Sequence, residues 1–319
     1  DLVYHYNILP PFSTQKMHIG QRVALVGAGN VMMDIAHWLI RDLKVDEILV
    51  VARRGPAEVK FDKKELEGVA SHIDLDALEA EFQRVAPVME AIGQDVQAAK
   101  DYLLSALPKA PAPFSQTQFR FRFLSSPLRI LGDAQGNVCG LEVEDNSLVL
   151  KGSDTRASGL GTKRVLEVDT VVFAIGDKVD DIFGLPVQWN EFVKNQQPSF
   201  PIGDLSYEAY DPAAQQPIKG VFVAGWSREA SSGLVGLARK DGENGARAIL
   251  EYLQTLPEKA NAVERAAQLE RLLDQACNPV VRLADLRKLE AYEQAEITRL
   301  GLEDFKLKTN EEMLEIMGF

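Results

Sequence analysis

The stretch RVALVGAGNVMMDIAHWLIRDLKVDEILVVARRGP, residues 22–56, decides how this chain folds. After Arg22 the first residues are apolar, and they run straight into Gly27-Ala28-Gly29. Residues 30–43 carry helical periodicity, with Val31, Ile35, Trp38 and Leu39 expected on one buried face. Residues 47–52 form a second run, apolar nearly throughout, as in a parallel strand covered on both faces. Strand, glycine turn, helix and strand make a βαβ unit of Rossmann length. In that setting Gly27 permits a tight turn and Gly29 lets a pyrophosphate approach the backbone. The helix N-terminus behind them offers free N–H groups and a positive dipole end. Met32 stands where a third small residue is usual, so the helix must ride off the sheet or the side chain must tuck aside.

The end of the second strand selects the nucleotide. A site for NAD or FAD would carry Asp or Glu there for the ribose hydroxyls, whereas this chain carries Arg53 and Arg54. A guanidinium grips a 2′-phosphate in bidentate fashion, which favours NADP(H) over NAD. The plainer reading is a solvated basic corner. Glu65 also has two readings: the second half of a capping box with Asp62, or a hydrogen bond to the nicotinamide-side ribose or amide.

Outward from this core, residues 1–20 read as an extended lead-in and 61–72 as a short helix. Residues 75–106 read as mostly helical and 107–114 as a proline-rich loop. Residues 118–145 alternate in strand fashion around a Gly136-Asn137 turn, and 151–163 read as an exposed hairpin loop. Residues 165–175 read as a buried strand ending at Gly176. Past residue 178 come a loop-rich span, a buried strand over 220–225 that delivers Trp226, and a glycine turn with Gly233 and Gly236. A helix over 241–253 and a charged helical tail follow, with a capping box at Thr309 and Glu312. Trp226 alone is more often core than cofactor contact.

Length and composition set the outer limits. The chain has 319 residues, which suggests two domains. A net charge of −12 argues against nucleic acid as a partner. No apolar run is long enough to span a membrane, and no signal peptide is visible. The absence of an initiator Met before Asp1 suggests a fragment or processed product. Cys139 and Cys277 form no CxxC pair, which suits a cytoplasmic protein, and both read as small buried hydrophobes. His5, His18, His37 and His72 are scattered, and no metal-ligand spacing is present, so no metal is expected.

These motifs together resemble the adrenodoxin-reductase-type ferredoxin–NADP reductases. Val26-Gly27-Ala28-Gly29-Asn30-Val31, then Arg53-Arg54-Gly55-Pro56, Phe61 and Glu65, is similar to the family's NADP domain. The match continues through residues 121–130, Gly225-Trp226, Gly233-Leu234-Val235-Gly236 and the tail at 280–293. The resemblance implies an α/β fold: a Rossmann-like NADP(H)-binding domain over residues 1–177 with a β-hairpin insertion. Residues 178–319 would then be the C-terminal part of a second, FAD-type Rossmann-like domain with a helical tail. It also implies that Asn30 and Val31 contact the pyrophosphate beside Gly29. Arg53 and Arg54 would hold the 2′-phosphate, and Glu65 would position ribose or nicotinamide. Gly225, Trp226 and Gly233 would lie where nicotinamide meets flavin, and Leu234 and Val235 would turn backbone N–H groups to the isoalloxazine.

The implied activity is hydride transfer from NADPH to FAD, with electrons passing on to a ferredoxin-like iron–sulfur protein. Arg120, Arg122 and Arg129 offer a local basic docking patch, or simply a solvated strand face. The chain departs from the family in three places. The opening G-x-G-x-x-G of the FAD domain lies upstream of the family segment represented here. The basic-Gly-Pro-Thr-Gly run expected after Gly-Trp reads Arg228-Glu229-Ala230-Ser231-Ser232-Gly233, and Gly68 occupies a position that is often acidic. Rival readings are a glutamate-synthase-type NADPH oxidoreductase subunit and a non-catalytic NADP-binding module.

Overall fold

The computed structural model describes residues 1–152, 154–229, 235–258, 260–275 and 278–319. The chain divides into two compact units, residues 19–255 and residues 1–18 with 256–319. In the smaller unit a one-turn helix α1 (Leu2–Tyr6) opens the chain, so the lead-in is not wholly extended. Its three-residue 3-10 turn at Phe12–Thr14 is tied by the Ser13 hydroxyl to the Lys308 carbonyl.

The larger unit begins with β1 (Arg22–Val26), α2 (Asn30–Trp38) and β2 (Glu47–Val51). Next come α3 (Lys63–Glu67), α4 (Leu75–Glu90), α5 (Val96–Leu104) and β3 (Gln118–Arg122). The insertion follows as β4 (Ser125–Gly132), β5 (Val138–Lys151), β6 (Asp154–Gly159) and β7 (Arg164–Leu166), after which β8 (Thr170–Phe173) returns to the core. The parallel sheet has the order β3-β2-β1-β8. Val26 pairs with Val51 and Phe173, and Val51 pairs with Arg122, so four strands end along one edge. Ligands of such sheets bind at that carboxyl edge.

Several expectations change here. The helix runs on to residue 43, but its last turn, Leu39–Leu43, widens to π geometry and ends at Lys44 with φ 52°. Val31 is exposed rather than buried, and Met32 is fully buried in its stead. The first turn of α2 thus keeps Val31 outward and Met32 tucked inward. The strand expected to be buried over 165–175 is two, β7 and β8, with Val165 and Ile175 exposed. The first of the two runs expected around the Gly136-Asn137 turn is itself two strands, β3 and β4. Leu124 takes φ 46° and separates β3 from the antiparallel β4–β5 pair. Buried Glu81 accepts the Phe123 N–H at 2.6 Å while Arg84 donates to the Phe123 carbonyl at 2.7 Å, which fixes the break. The expected loop over 151–163 is largely strand, since β6 pairs with β5 from Asn146↔Gly159 to Lys151↔Asp154. Cys139 is exposed beside the hairpin turn rather than buried. Cys277 lies outside the described residues.

The insertion's β5 packs on the sheet: Leu141 and Val143 share one buried cluster with Ala24, Val26, Val51 and Val168. Beyond β8 the unit continues with β9 (Val187–Gln188), β10 (Glu191–Phe192), β11 (Glu208–Asp211), β12 (Gln216–Phe222) and α6 (Val235–Gln254). Among the described residues β12 pairs only with β11, and over 220–225, expected to be a buried strand, only Val223 is buried while Gly220 is exposed and the rest are half-buried. Helix α6 starts earlier than the expected residue 241. In the smaller unit α7 (Ala262–Asp274), α8 (Leu283–Leu300) and α9 (Asn310–Met317) form the tail. The Thr309–Glu312 capping box is formed there, with Glu312 N–H donating to Thr309 Oγ1 at 3.2 Å.

Candidate functional site

At the carboxyl edge the glycine turn is built as its chemistry requires. Gly27 has φ 138°, and a Cβ added there would stand 2.2 Å from the Ala174 carbonyl oxygen. Only glycine lets the β1 exit pass β8 this closely. A Cβ at Gly29 would meet nothing within 4 Å, so the approach to the α2 N-terminus is open. The first N–H groups of that helix have no intrahelical acceptor and suit a phosphate oxygen.

Asn30 has a structural duty that sequence reading missed. Its Nδ2 donates to Asp62 Oδ2 at 2.8 Å, and the Asp62 N–H donates to Asn30 Oδ1 at 2.7 Å. The Lys60 N–H also donates to the Ala28 carbonyl at 2.7 Å. The glycine turn is thereby fastened to the start of α3. The same bonds decide the fate of the expected capping box: Asp62 is the N-cap by position but makes no side-chain cap bond. Glu65 lies on α3, one turn on. Partial burial, then the charges of Asp34 and Asp62, push its carboxyl above the usual range, against Lys64 and His37. A carboxyl so placed holds a proton more readily and can donate as well as accept a hydrogen bond.

Arg53 and Arg54 follow β2 directly. The Arg53 carbonyl accepts from the buried Asn146 at 2.8 Å, and the Arg54 carbonyl accepts the Leu124 N–H at 3.1 Å. Their backbone is thus held from the insertion side. The guanidinium of Arg54 meets the exposed Asp154 at 3.4 Å, while that of Arg53 makes no ion pair among the described residues. Both arginines line a cleft of about 840 Å³ together with Lys151, Arg156, Glu144 and Trp189. Four cations and two acids (Glu144 and Asp154) line this cleft on a protein of net charge −12. Neither Lys151 nor Arg156 is legible as part of it in the sequence, because both fall in the stretch 151–163 whose composition reads as a loop.

The expected flavin-side residues sit after β12. Gly225, with φ 62°, opens a short 3-10 turn, Gly225–Ser227, and Trp226 is 49% exposed, so it is no core residue. Beneath it lies a polar cluster. Asp241 accepts the Gly225 N–H at 2.6 Å, Arg228 Nε at 2.9 Å, and the Tyr207 hydroxyl at 3.1 Å. Arg228 also lies over the Tyr207 ring at 4.9 Å. Burial opposes the Asp241 charge, but Arg228 and the Gly225 N–H outweigh it and hold the carboxyl below its ordinary range. Gly233 and Leu234 lie outside the described residues, as does the side chain of Val235. No hydrogen bond, ion pair or ring contact among the described residues joins Trp226 to Glu65. The structure therefore fastens the Gly27–Asn30 turn to the start of α3, one turn before Glu65, gathers Arg53 and Arg54 in the cleft, and holds Gly225 and Trp226 in a turn of their own.

The three arginines weighed as a docking patch are each neutralised. Arg120 pairs with Glu47 and Asp74, Arg122 with Asp145, and Arg129 with Glu142. They form no free basic face. No helix among the described residues is long and apolar enough to cross a membrane.

No family model matches the chain. Among curated proteins, the NADPH-ferredoxin reductase FprA of Mycobacterium leprae is 26% identical over 99% of this chain and 71% of its own length. A probable ferredoxin/ferredoxin–NADP reductase of Mycobacterium bovis is 25% identical over 74% of this chain, which spans only 41% of that protein. The mitochondrial NADPH:adrenodoxin oxidoreductase of Salvelinus fontinalis is 23% identical over 99% of this chain and 66% of its own length. Among solved structures, Mycobacterium tuberculosis FprA in complex with NADPH superposes with a TM-score of 0.74 at 22% identity, over 99% of this chain and 72% of that one. The fold is shared, and the relatives are reductases of the type that the motifs resemble.

Proposed function

We propose that this chain, a relative of the adrenodoxin-reductase-type ferredoxin–NADP reductases, is the NADP(H)-binding and flavin-facing part of such an enzyme. In that enzyme NADPH supplies a hydride to FAD, and the electrons pass on to a ferredoxin-like iron–sulfur protein. The observation that carries this reading is one βαβ unit with an open glycine turn after β1 and a cleft lined by Arg53 and Arg54 after β2. The α2 N-terminus would receive the pyrophosphate, with Asn30 and Val31 donating backbone N–H groups. Arg53 and Arg54 would grip the 2′-phosphate, which selects NADP(H) over NAD(H). Glu65, its carboxyl pushed upward, would orient the nicotinamide-side ribose or amide. Trp226, on the turn fastened by Asp241, would flank the rings that exchange hydride, and stacking them at reacting distance is the protein's main catalytic contribution. Gly233, Leu234 and Val235 keep the flavin-side roles implied by the resemblance.

We assign residues 1–177 to the NADP(H) side and 178–319 to the closing part of the FAD side. Leu237, Leu250 and Leu253 on α6 are all more than half exposed, as suits a half-domain that packs against an opening half. The exposed free thiol of Cys139 suits a reducing compartment such as the cytoplasm. The test is the visible absorption spectrum of the purified chain, taken alone, with FAD, and then with NADPH. Flavin bands that stay with the protein and bleach on NADPH support hydride transfer by these residues. A colourless protein that binds NADPH and ignores FAD would favour the non-catalytic NADP-binding module for this chain.

A further inference from the structure

The arginine cleft has one wall that the phosphate chemistry leaves unexplained. Trp189 lines it, 86% exposed, at the tip of the β9–β10 hairpin. The two-residue turn places Trp189 at φ 55° and Asn190 at φ 71°. Both values lie in the left-handed region, which two-residue hairpin turns normally fill with Asn, Asp or Gly. A tryptophan there is strained, and its indole makes no ring contact among the described residues. A strained backbone and a largely exposed indole thus coincide at one residue.

The hairpin that carries it is firmly rooted. Phe192 is buried against Ala209 and Val223, and the Val179 N–H donates to the Asn190 carbonyl at 3.0 Å. The indole is therefore held at the cleft by a fixed stalk. Across the cleft stand Arg53 and Arg54, and its volume of about 840 Å³ accommodates a nucleotide. A flat aromatic beside phosphate-binding cations matches a ligand with a flat base and a phosphate on its ribose.

We propose that Trp189 is the adenine platform of the nucleotide site. Its indole stacks on the adenine of the adenosine whose ribose 2′-phosphate Arg53 and Arg54 hold. The inference rests on the NADP(H) reading and adds a contact that acts on the base alone. Arg53 and Arg54 set the preference for NADP(H), whereas Trp189 strengthens NADP(H) and NAD(H) equally, because the adenine is common to both.

The experiment is calorimetric titration of adenosine 2′,5′-bisphosphate, NADP+ and NAD+ into the wild-type chain, Trp189→Asn, Trp189→Phe and Arg53→Ala/Arg54→Ala. Asn suits the left-handed turn, so the fold of Trp189→Asn is not at risk. Stacking on an aromatic implies a loss of about 5- to 20-fold for each ligand in Trp189→Asn, at the low end for an open site. Trp189→Phe retains binding within about threefold, and the NADP+ to NAD+ ratio is unchanged in both. Quenching of intrinsic fluorescence by adenosine 2′,5′-bisphosphate accompanies binding to the wild type and largely disappears in Trp189→Asn. Unchanged affinities in Trp189→Asn, alongside a loss in the double arginine variant, would overturn the platform and leave the NADP(H) reading intact. A wild-type chain that binds none of the three ligands would overturn both.

Discussion

Asp241→Ala tests whether the Gly225–Ser227 turn depends on one buried carboxylate. Asp241 accepts Arg228 Nε at 2.9 Å from each of its oxygens, Arg228 Nη2 at 2.5 Å, the Gly225 N–H at 2.6 Å and the Tyr207 hydroxyl at 3.1 Å. The side chains of Arg228 and Asp241 are only 6% and 13% exposed, so solvent screens the pair weakly. Removing the carboxylate leaves a buried guanidinium without its main partner, at a cost of about 3–5 kcal/mol. For a unit of this size each kcal/mol moves the melting temperature by about 2–4 °C, so a fall of roughly 6–20 °C is expected by circular dichroism. Replacing both partners by apolar residues, as in Arg228→Met with Asp241→Leu, should recover most of that loss, because no charge is then stranded. The single variant should also shift Trp226 emission, since the Gly225 N–H that opens its turn loses its acceptor. A melting temperature within about 2 °C of wild type, or a double variant as unstable as the single one, would refute the reasoning.

Three further expectations concern other parts of the larger unit. Gly27→Ala should lower stability by roughly 3 kcal/mol or more in urea unfolding, because its φ of 138° and the Ala174 oxygen at 2.2 Å leave no room for a methyl group; an unchanged midpoint would contradict the close approach. Asp154→Asn should tighten NADP+ binding by about two- to fivefold, since the exposed Asp154 competes weakly for Arg54; unchanged or weaker binding in calorimetry would count against that competition. His72 is buried and its Nε2 accepts the Phe114 N–H at 3.1 Å, and burial is the main cause holding its pKa below 6.5. The unfolded chain therefore binds the proton more readily. The stability His72 contributes is full above about pH 6.5 and is lost as pH falls toward the folded value. Urea midpoints at pH 7.5 and 5.5 should separate more in wild type than in His72→Gln, and equal separations would be evidence against a neutral buried histidine.

Where the sequence was legible, one local signal had one physical cause. The apolar runs at 22–26 and 47–52 became neighbouring parallel strands because only burial on both faces tolerates such runs. Gly27 and Arg53-Arg54 could be placed because their positions follow from those strand ends. The Thr309–Glu312 cap, too, is a purely local bond. Reading failed where a distant partner decided. Asp62 looked like the first half of a capping box, but Asn30, far upstream, takes its carboxylate. The first of the two runs expected within 118–145 breaks at Leu124 because Glu81 and Arg84 on α4 hold Phe123. β6 was hidden by its Gly, Ser and charged residues, which an exposed hairpin tolerates on its open face. Trp189 gave no turn signal, since the first position of its turn lacks the usual Asn, Asp or Gly and only Asn190 supplies one.

The most direct test of the central claim is paired calorimetric titration of NADP+ and NAD+ into one preparation, repeated with Arg53→Ala/Arg54→Ala. A 2′-phosphate gripped by charge-assisted hydrogen bonds should make NADP+ tighter by about 10- to 150-fold. The double variant should lose that margin while its NAD+ affinity stays within about threefold of wild type. Equal affinities for the two nucleotides in the wild-type chain, or a preference that survives removal of both arginines, would contradict the account.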